Sequence, residues 1–378
     1  MTKWQQLKLG EIATFVNGYA FKPSDWNDTG IPIIRIQNLT NDNASRNYYN
    51  GQLDEKYRVV RGDILISWSA TIGVFEWTRE DSYLNQHIFK VVFNKLKVNK
   101  SFFKYLIKQK INEMLAKVHG STMKHITKSN FDNIPILLPD IKEQDRIARI
   151  LDKADEIRTK KKLANEKLDE FLKSTFIDMF GDPVINSKQL PKVKLSDMGT
   201  LARGKSKHRP RNAPELLNGP YPLIQTGDVA NSGLYLKTYN QTYSEIGLKQ
   251  SKMWNAGTLC ITIAANIAKT SILTFNACFP DSIVGFINND NCNIHYIQFW
   301  LMFLQAVLEA EAPQSAQKNI NLEILNSLEL PYPPIEQQNK FAQIVQKAEA
   351  QKEKNQKVIE QMDNLFNSLM HQAFNSSL

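Results

Sequence analysis

Cysteine is nearly absent from this chain: Cys260, Cys278 and Cys292 are an odd number in 378 residues, with no C-x-x-C pair. That excludes a disulfide framework and a cysteine-type zinc site, and it reads as reduced thiols in a cytoplasmic protein. Long apolar runs are also missing. The most apolar stretch, 297–308, is broken by Gln298 and Gln305, and the opening MTKWQQLKLGEIATF has no basic segment followed by an apolar one. Neither membrane insertion nor secretion is expected. The six histidines are scattered without H-x-x-x-H or H-E-x-x-H spacing, so no metal is expected. No Ser/His/Asp or paired-carboxylate set stands out by spacing. What remains is an ordinary globular composition over a length suited to two or three domains. Its one bias is charge: 47 Lys+Arg against 38 Asp+Glu leave +9, which points to an acidic partner.

The chain repeats itself. LPDIKEQDRIARIL (138–151) returns 194 residues later as YPPIEQQNKFAQIV (332–345), and laying 121–180 on 315–374 without a gap gives 15 identities in 60 positions. Upstream, KLGEIATFVNG pairs with KLSDMGTLARG, PIIRIQNL with PLIQTGDV, and GDILISWSATIG with GTLCITIAANIA. Each copy opens with short β-rich runs divided by Gly, Asn and Pro (63–67 and 88–93; 258–263 and 283–287), then an amphipathic helix (101–118; 294–311). The chain therefore divides into 1–139, a helix over 140–181, 182–333, and a second helix over 334–378. The predicted fold class is α+β: two similar mixed α/β domains in pseudo-two-fold arrangement, separated by an antiparallel coiled coil.

Those two helices are the best-patterned segments. Asp140 with Glu143 forms a capping box at the start of the first, and Phe180-Gly181-Asp182-Pro183 supplies its stop. At about 40 residues, or ~60 Å, each far exceeds the usual helix length. A heptad seam runs through Ile147, Ile150, Ala154, Ile157, Leu168 and Phe171, and through Phe341, Ile344, Ala348, Met362 and Leu365. The two repeats provide each other's partner, with Lys161 and Asn355 expected as a polar layer fixing register.

Charge separates the parts. The helices hold 10 basic against 9 acidic residues (141–180) and 5 against 5 (335–378), while 1–140 holds 19 against 13 and 181–334 holds 13 against 11. Within the second domain RGKSKHRPR concentrates Arg203, Lys205, Lys207, Arg209 and Arg211 in nine residues. A basic cluster in a Gly/Pro-rich loop suits a nucleic-acid backbone. A second candidate is repeated: STMKHI (121–126) and SAQKNI (315–320) offer Lys124 and His125, then Lys318 and Asn319, before each long helix. The pattern GTLARGKS (199–206) has the letters of a phosphate loop, but the two prolines in KHRPRNAP forbid the helix that such a loop must enter, so it carries no nucleotide chemistry.

Two domains each followed by a similar long helix resemble the specificity subunit of type I restriction-modification enzymes. The residues that carry the resemblance are the P-x-I-x-x-Q helix starts (Pro139, Ile141, Gln144; Pro333, Ile335, Gln338), the exit MFGDP (179–183), the GDILISWS run and the two Lys-containing loops. The resemblance implies a non-catalytic subunit whose domains each read one half of a split double-stranded DNA site, with the helices setting the spacer. It also implies partners: two methyltransferase subunits that use S-adenosylmethionine and an ATP-driven restriction subunit, with no cofactor on this chain. DNA contacts are expected from Arg35, Asn38 and Ser67 in the first domain, from Gln225 and the basic loop in the second, and from the paired Lys loops. Arg35 and Asn38 become Gln225 and Asp228 in the second copy, as domains reading different sequences require. The competing readings are the recognition subunit of a related non-type-I enzyme, a nucleotide hydrolase using Lys205, and a coiled-coil scaffold.

Overall fold

The computed structural model describes residues 4–41, 43–69, 71–117, 127–264, 267–311 and 320–374. Lys124, His125, Lys318 and Asn319 lie outside them. By compactness the chain divides into unit 1, residues 1–162 with 357–378, and unit 2, residues 163–356. Each unit therefore takes one half of each long helix: the central helix Ile141–Phe180 and the distal helix Ile335–Phe374.

The repeat is visible in the topology. Unit 1 has an antiparallel sheet in the order 14–17, 88–92, 64–67, 73–76 and a second sheet in the order 47–49, 31–34, 82–84, 58–59. In the second sheet 31–34 runs parallel to 82–84 and antiparallel to 47–49. Unit 2 repeats this with 199–203, 283–288, 259–262, 270–273, extended by a fifth strand 235–236 parallel to 270–273, and with 241–243, 217–223, 277–278, 253–254, where 217–223 again has one parallel and one antiparallel neighbour. Central strands such as Ile64–Ser67 and Leu259–Thr262 are buried along their whole length, which explains their unbroken apolar runs. A helix closes each domain, Lys100–Lys117 and Ile294–Glu311.

The Gln of each P-x-I-x-x-Q start now has a physical role. Gln144, 2% exposed, accepts the backbone N–H of Asn99 at 3.0 Å and donates to Pro139 O at 2.8 Å. Gln338, fully buried, does the same with Asn293 at 2.9 Å and Pro333 O at 2.9 Å. One amide thus satisfies two buried backbone groups and ties each long helix to the domain before it. Asp140 caps the central helix by accepting the N–H of Glu143 at 3.0 Å, while Glu143 itself turns to Arg146. At the other end Gly181 takes φ +78°, the left-handed position that glycine tolerates, and its N–H bonds Ile177 O at 2.7 Å.

The seam lies one residue from the expected stripe at several positions. Ile147, Ala154, Phe341 and Ala348 are buried as expected, and Leu168 and Ile344 pack against the core of unit 2. Ile150, Phe171 and Leu365, however, are 39, 50 and 45% exposed, and their neighbours Leu151, Leu172 and Phe366 are buried instead. The apolar stripe is two residues wide there, so hydrophobicity alone does not choose which residue turns inward. With Met362, Ile157 and Leu369, the exposed Ile150 and Leu365 line a groove between the helices in unit 1.

Both units clamp the helices with the same ion cluster. Arg158 pairs with Asp155 on its own helix and with Asp363 at 3.0 Å, and 194 positions on, Lys352 pairs with Glu349 at 2.7 Å and with Asp169. Burial opposes the charge on both cations, but the paired carboxylates outweigh it and hold both above their ordinary values. In unit 2 the cross-helix contacts Asp169 with Lys352 and Asn165 with Asn355 run in opposite senses along the two helices, so the helices are antiparallel there. The polar layer expected around Lys161 and Asn355 is built, in unit 2, on Asn355: 2% exposed, it donates to Asn165 at 2.8 Å.

Candidate nucleic-acid interface

The basic loop of unit 2 leaves the strand Gly199–Arg203 and enters turns, with no helix at Ser206. A phosphate loop needs that helix, so the nucleotide-hydrolase reading loses its site. The loop is anchored by Gln250, whose Oε1 accepts the N–H groups of Lys207 at 2.6 Å and His208 at 3.0 Å. Its cations are not equivalent. Arg211 pairs with Asp281 at 2.6 Å, Arg203 donates to the Asp281 carbonyl at 2.9 Å, and Arg209 donates to Ser206 O and His208 O at 2.7 and 2.8 Å. Lys205 and Lys207 are exposed and make no ion pair among the described residues. These two ammonium groups are therefore the loop charges left open to solvent.

The candidates of the second sheet occupy matching places. Arg35 ends the run after strand Ile31–Ile34, and Gln225 follows Leu217–Leu223. Each backbone N–H is accepted by the residue three positions on, Asn38 at 3.0 Å and Asp228 at 2.8 Å. Each side chain reaches the opposing strand: Arg35 donates to Asn47 at 3.1 Å, and Gln225 to Gln241 at 3.1 Å. Arg35 also lies over the Trp26 ring, 5.1 Å from its centroid.

Two expected contacts are structural. Asn38 is 3% exposed, and its amide is spent on the Arg35 N–H and the Ser45 carbonyl. Ser67 is fully buried in the central strand and donates its hydroxyl to Thr71 O. Neither offers a group to a partner. Asn47, Gln241 and Trp26 escaped sequence reasoning because each sits on a short strand or loop with no motif; only their structural pairing with Arg35 and Gln225 singles them out.

No cluster of His, Cys, Asp or Glu among the described residues could hold a metal, and burial pushes all three thiols up, Cys292 to about 12, leaving no thiolate nucleophile there. No helix among the described residues is long and apolar enough to cross a membrane.

Comparison with known proteins points one way. The family model for the type I restriction modification DNA specificity domain matches residues 1–167 and 188–362. The EcoBI type I restriction enzyme specificity subunit of Escherichia coli is 24% identical, over 99% of this chain and 86% of that protein. The putative MjaX specificity subunit of Methanocaldococcus jannaschii is 22% identical, over 90% and 85%. Among solved structures, the S subunit of a type I restriction-modification system from M. genitalium superposes with a TM-score of 0.61 at 14% identity, over 99% of this chain and 96% of that one. A chain from a structural study of complex assembly and conformational transition in a type I R-M system gives 0.58 at 16%, over 99% and 98%. At these identities the two structures share the fold.

Proposed function

The chain belongs to the type I restriction modification DNA specificity family, and we propose that its two domains each read one half of a bipartite DNA site while the two long helices set the unread spacer. The observation that carries this reading is the asymmetry of divergence. The Gln staples are identical in both copies and the helix clamps keep the same pairing with Arg158 and Asp155 exchanged for Lys352 and Glu349, whereas the exposed loops and the Arg35 and Gln225 positions change in chemical character. Structure held constant beneath a changed surface is what two readers of different sequences require.

The chain itself performs no chemistry in this reading. Two modification subunits bring S-adenosylmethionine and methylate adenine, a restriction subunit brings ATP-driven cleavage, and the assembly works in the cytoplasm. The apolar groove lined by Ile150 and Leu365 in unit 1 is the surface this reading assigns to a modification subunit, since an open apolar stripe marks a protein contact. The test is methylation mapping in a host expressing the chain with its modification subunits. A motif of two short, different halves around a fixed gap is expected; a continuous motif would overturn the reading.

Replacing Lys205 and Lys207 by alanine in that assembly should weaken binding to all DNA sequences alike. The plot of log affinity against log salt should flatten by about 2, near 0.9 for each lost phosphate contact. An unchanged slope would remove the loop from the phosphate backbone.

A further inference from the structure

We propose that residues 35 and 225 are matching base-reading positions of the two domains: Arg35, held by Asn47 and Trp26, reads a G·C pair in one half-site, and Gln225, held by Gln241, reads an A·T pair in the other. This rests on the reading of the chain as a two-domain DNA reader. It adds which residues discriminate and which bases they select.

The placement comes from the repeat. Both residues follow the strand that has one parallel and one antiparallel neighbour, and in both the side chain bonds the first residue of the antiparallel neighbour, Asn47 or Gln241. Such a partner removes the rotational freedom that a long exposed side chain otherwise loses on binding. It also leaves the reading edge open. Arg35 spends Nη1 on Asn47, and its Nε and Nη2 remain as a fork that matches guanine O6 and N7. Gln225 spends one N–H on Gln241; its Oε1 and second N–H remain, the acceptor and donor that match adenine N6 and N7.

In unit 2 the surroundings fit a ligand. Gln225 and Gln241 line a pocket with Ser206, Arg211 and Asn212 of the basic loop. Ser206 is 6% exposed, and its Oγ has no hydrogen-bond partner among the described residues, a buried polar atom that a bound group would satisfy. Phosphate-gripping Lys205 and Lys207 thus sit on the loop that borders the reading pair, the division of labour by which backbone contacts position and base contacts specify. In unit 1 Asn85 donates its N–H to Ile34 O, just before Arg35, and its Oδ1 is likewise buried without a partner.

The experiment uses the assembly with its modification subunits. The Arg35→Gln and Gln225→Arg variants are expressed in a host and the methylated motif is mapped. Arg35→Gln should change one G·C pair to A·T in one half-site and leave the other half as it was; Gln225→Arg should do the reverse in the other half. A wild-type motif that is not bipartite defeats the underlying reading of the chain. A bipartite wild-type motif that both variants leave unaltered defeats this assignment alone. Where a variant stops methylation, the purified Arg35→Ala and Gln225→Ala assemblies are titrated with duplexes altered at single base pairs. Loss of a roughly 5- to 150-fold preference at one pair supports the assignment. A uniform loss over all sequences, whether from misfolding or from a lost phosphate contact, overturns it.

Discussion

Phe176→Ala is expected to be among the most destabilising single substitutions in the chain, costing about 3–5 kcal/mol, against a total stability of roughly 5–15 kcal/mol for a domain. Phe176 is fully buried where the central helix meets unit 2. Its ring lies 5.0 Å from Phe180, 5.5 Å from Tyr296, 5.2 Å from Phe303 and 5.4 Å from Phe341. Those partners come from the central helix, the helix Ile294–Glu311, and the distal helix itself. Removing one ring leaves a cavity that three elements cannot close together. Hydrogen exchange should show peptides from 259–288 losing protection while those from 64–92 keep most of theirs. Equal loss in both would mean that the two cores do not open separately. Phe176→Leu should recover most of the stability, since it refills much of the volume.

Removing 159–165 from the central helix together with 353–359 from the distal helix should change the spacing of the recognised site and nothing else about it. The two deletions are matched by the repeat. They take out one heptad from each helix, including Asn165 and Asn355, and leave Arg158, Asp155 and Asp363 as well as Lys352, Glu349 and Asp169 in register. Each helix shortens by about 10 Å. The mapped motif should keep both halves while its gap contracts by at most about three base pairs. An unchanged gap would show that the helices do not measure the spacer.

The repeat, the two long helices and their limits were legible because they depend on strong local signals: a capping Asp140, a left-handed Gly181, and a sustained heptad. Which face of the helices closes was legible only in part. Leu151 and Ile150 are equally apolar, and the choice between them belongs to the domain packed alongside. The candidate site reads in the same way. Lys205 and Lys207 announced themselves by clustering, and Arg35 and Gln225 by alignment of the copies. Ser67 was misleading: it stands in a distinctive motif, yet a serine in a central strand can be spent on a neighbouring carbonyl. The pairing partners Asn47 and Gln241 depend on strand register, which no single-residue pattern in short irregular strands records.

Unit 1 is built from two separated stretches, 1–162 and 357–378, with unit 2 synthesised between them. Its core includes Phe366, Met370 and Phe374, which close over Phe102 and Tyr105 with ring separations of 5.2 Å for Phe102 and Phe374 and 5.5 Å for Tyr105 and Phe366. The ribosome delivers these residues after all of unit 2, which spans 163–356. At roughly 5–20 residues per second, the nascent first domain waits about 10–40 s with the apolar face of the central helix uncovered. Unit 2, whose residues are contiguous, is complete before unit 1 is. Unit 1 is thus begun before unit 2 and finished after it, and through that interval its open face is available to chaperones.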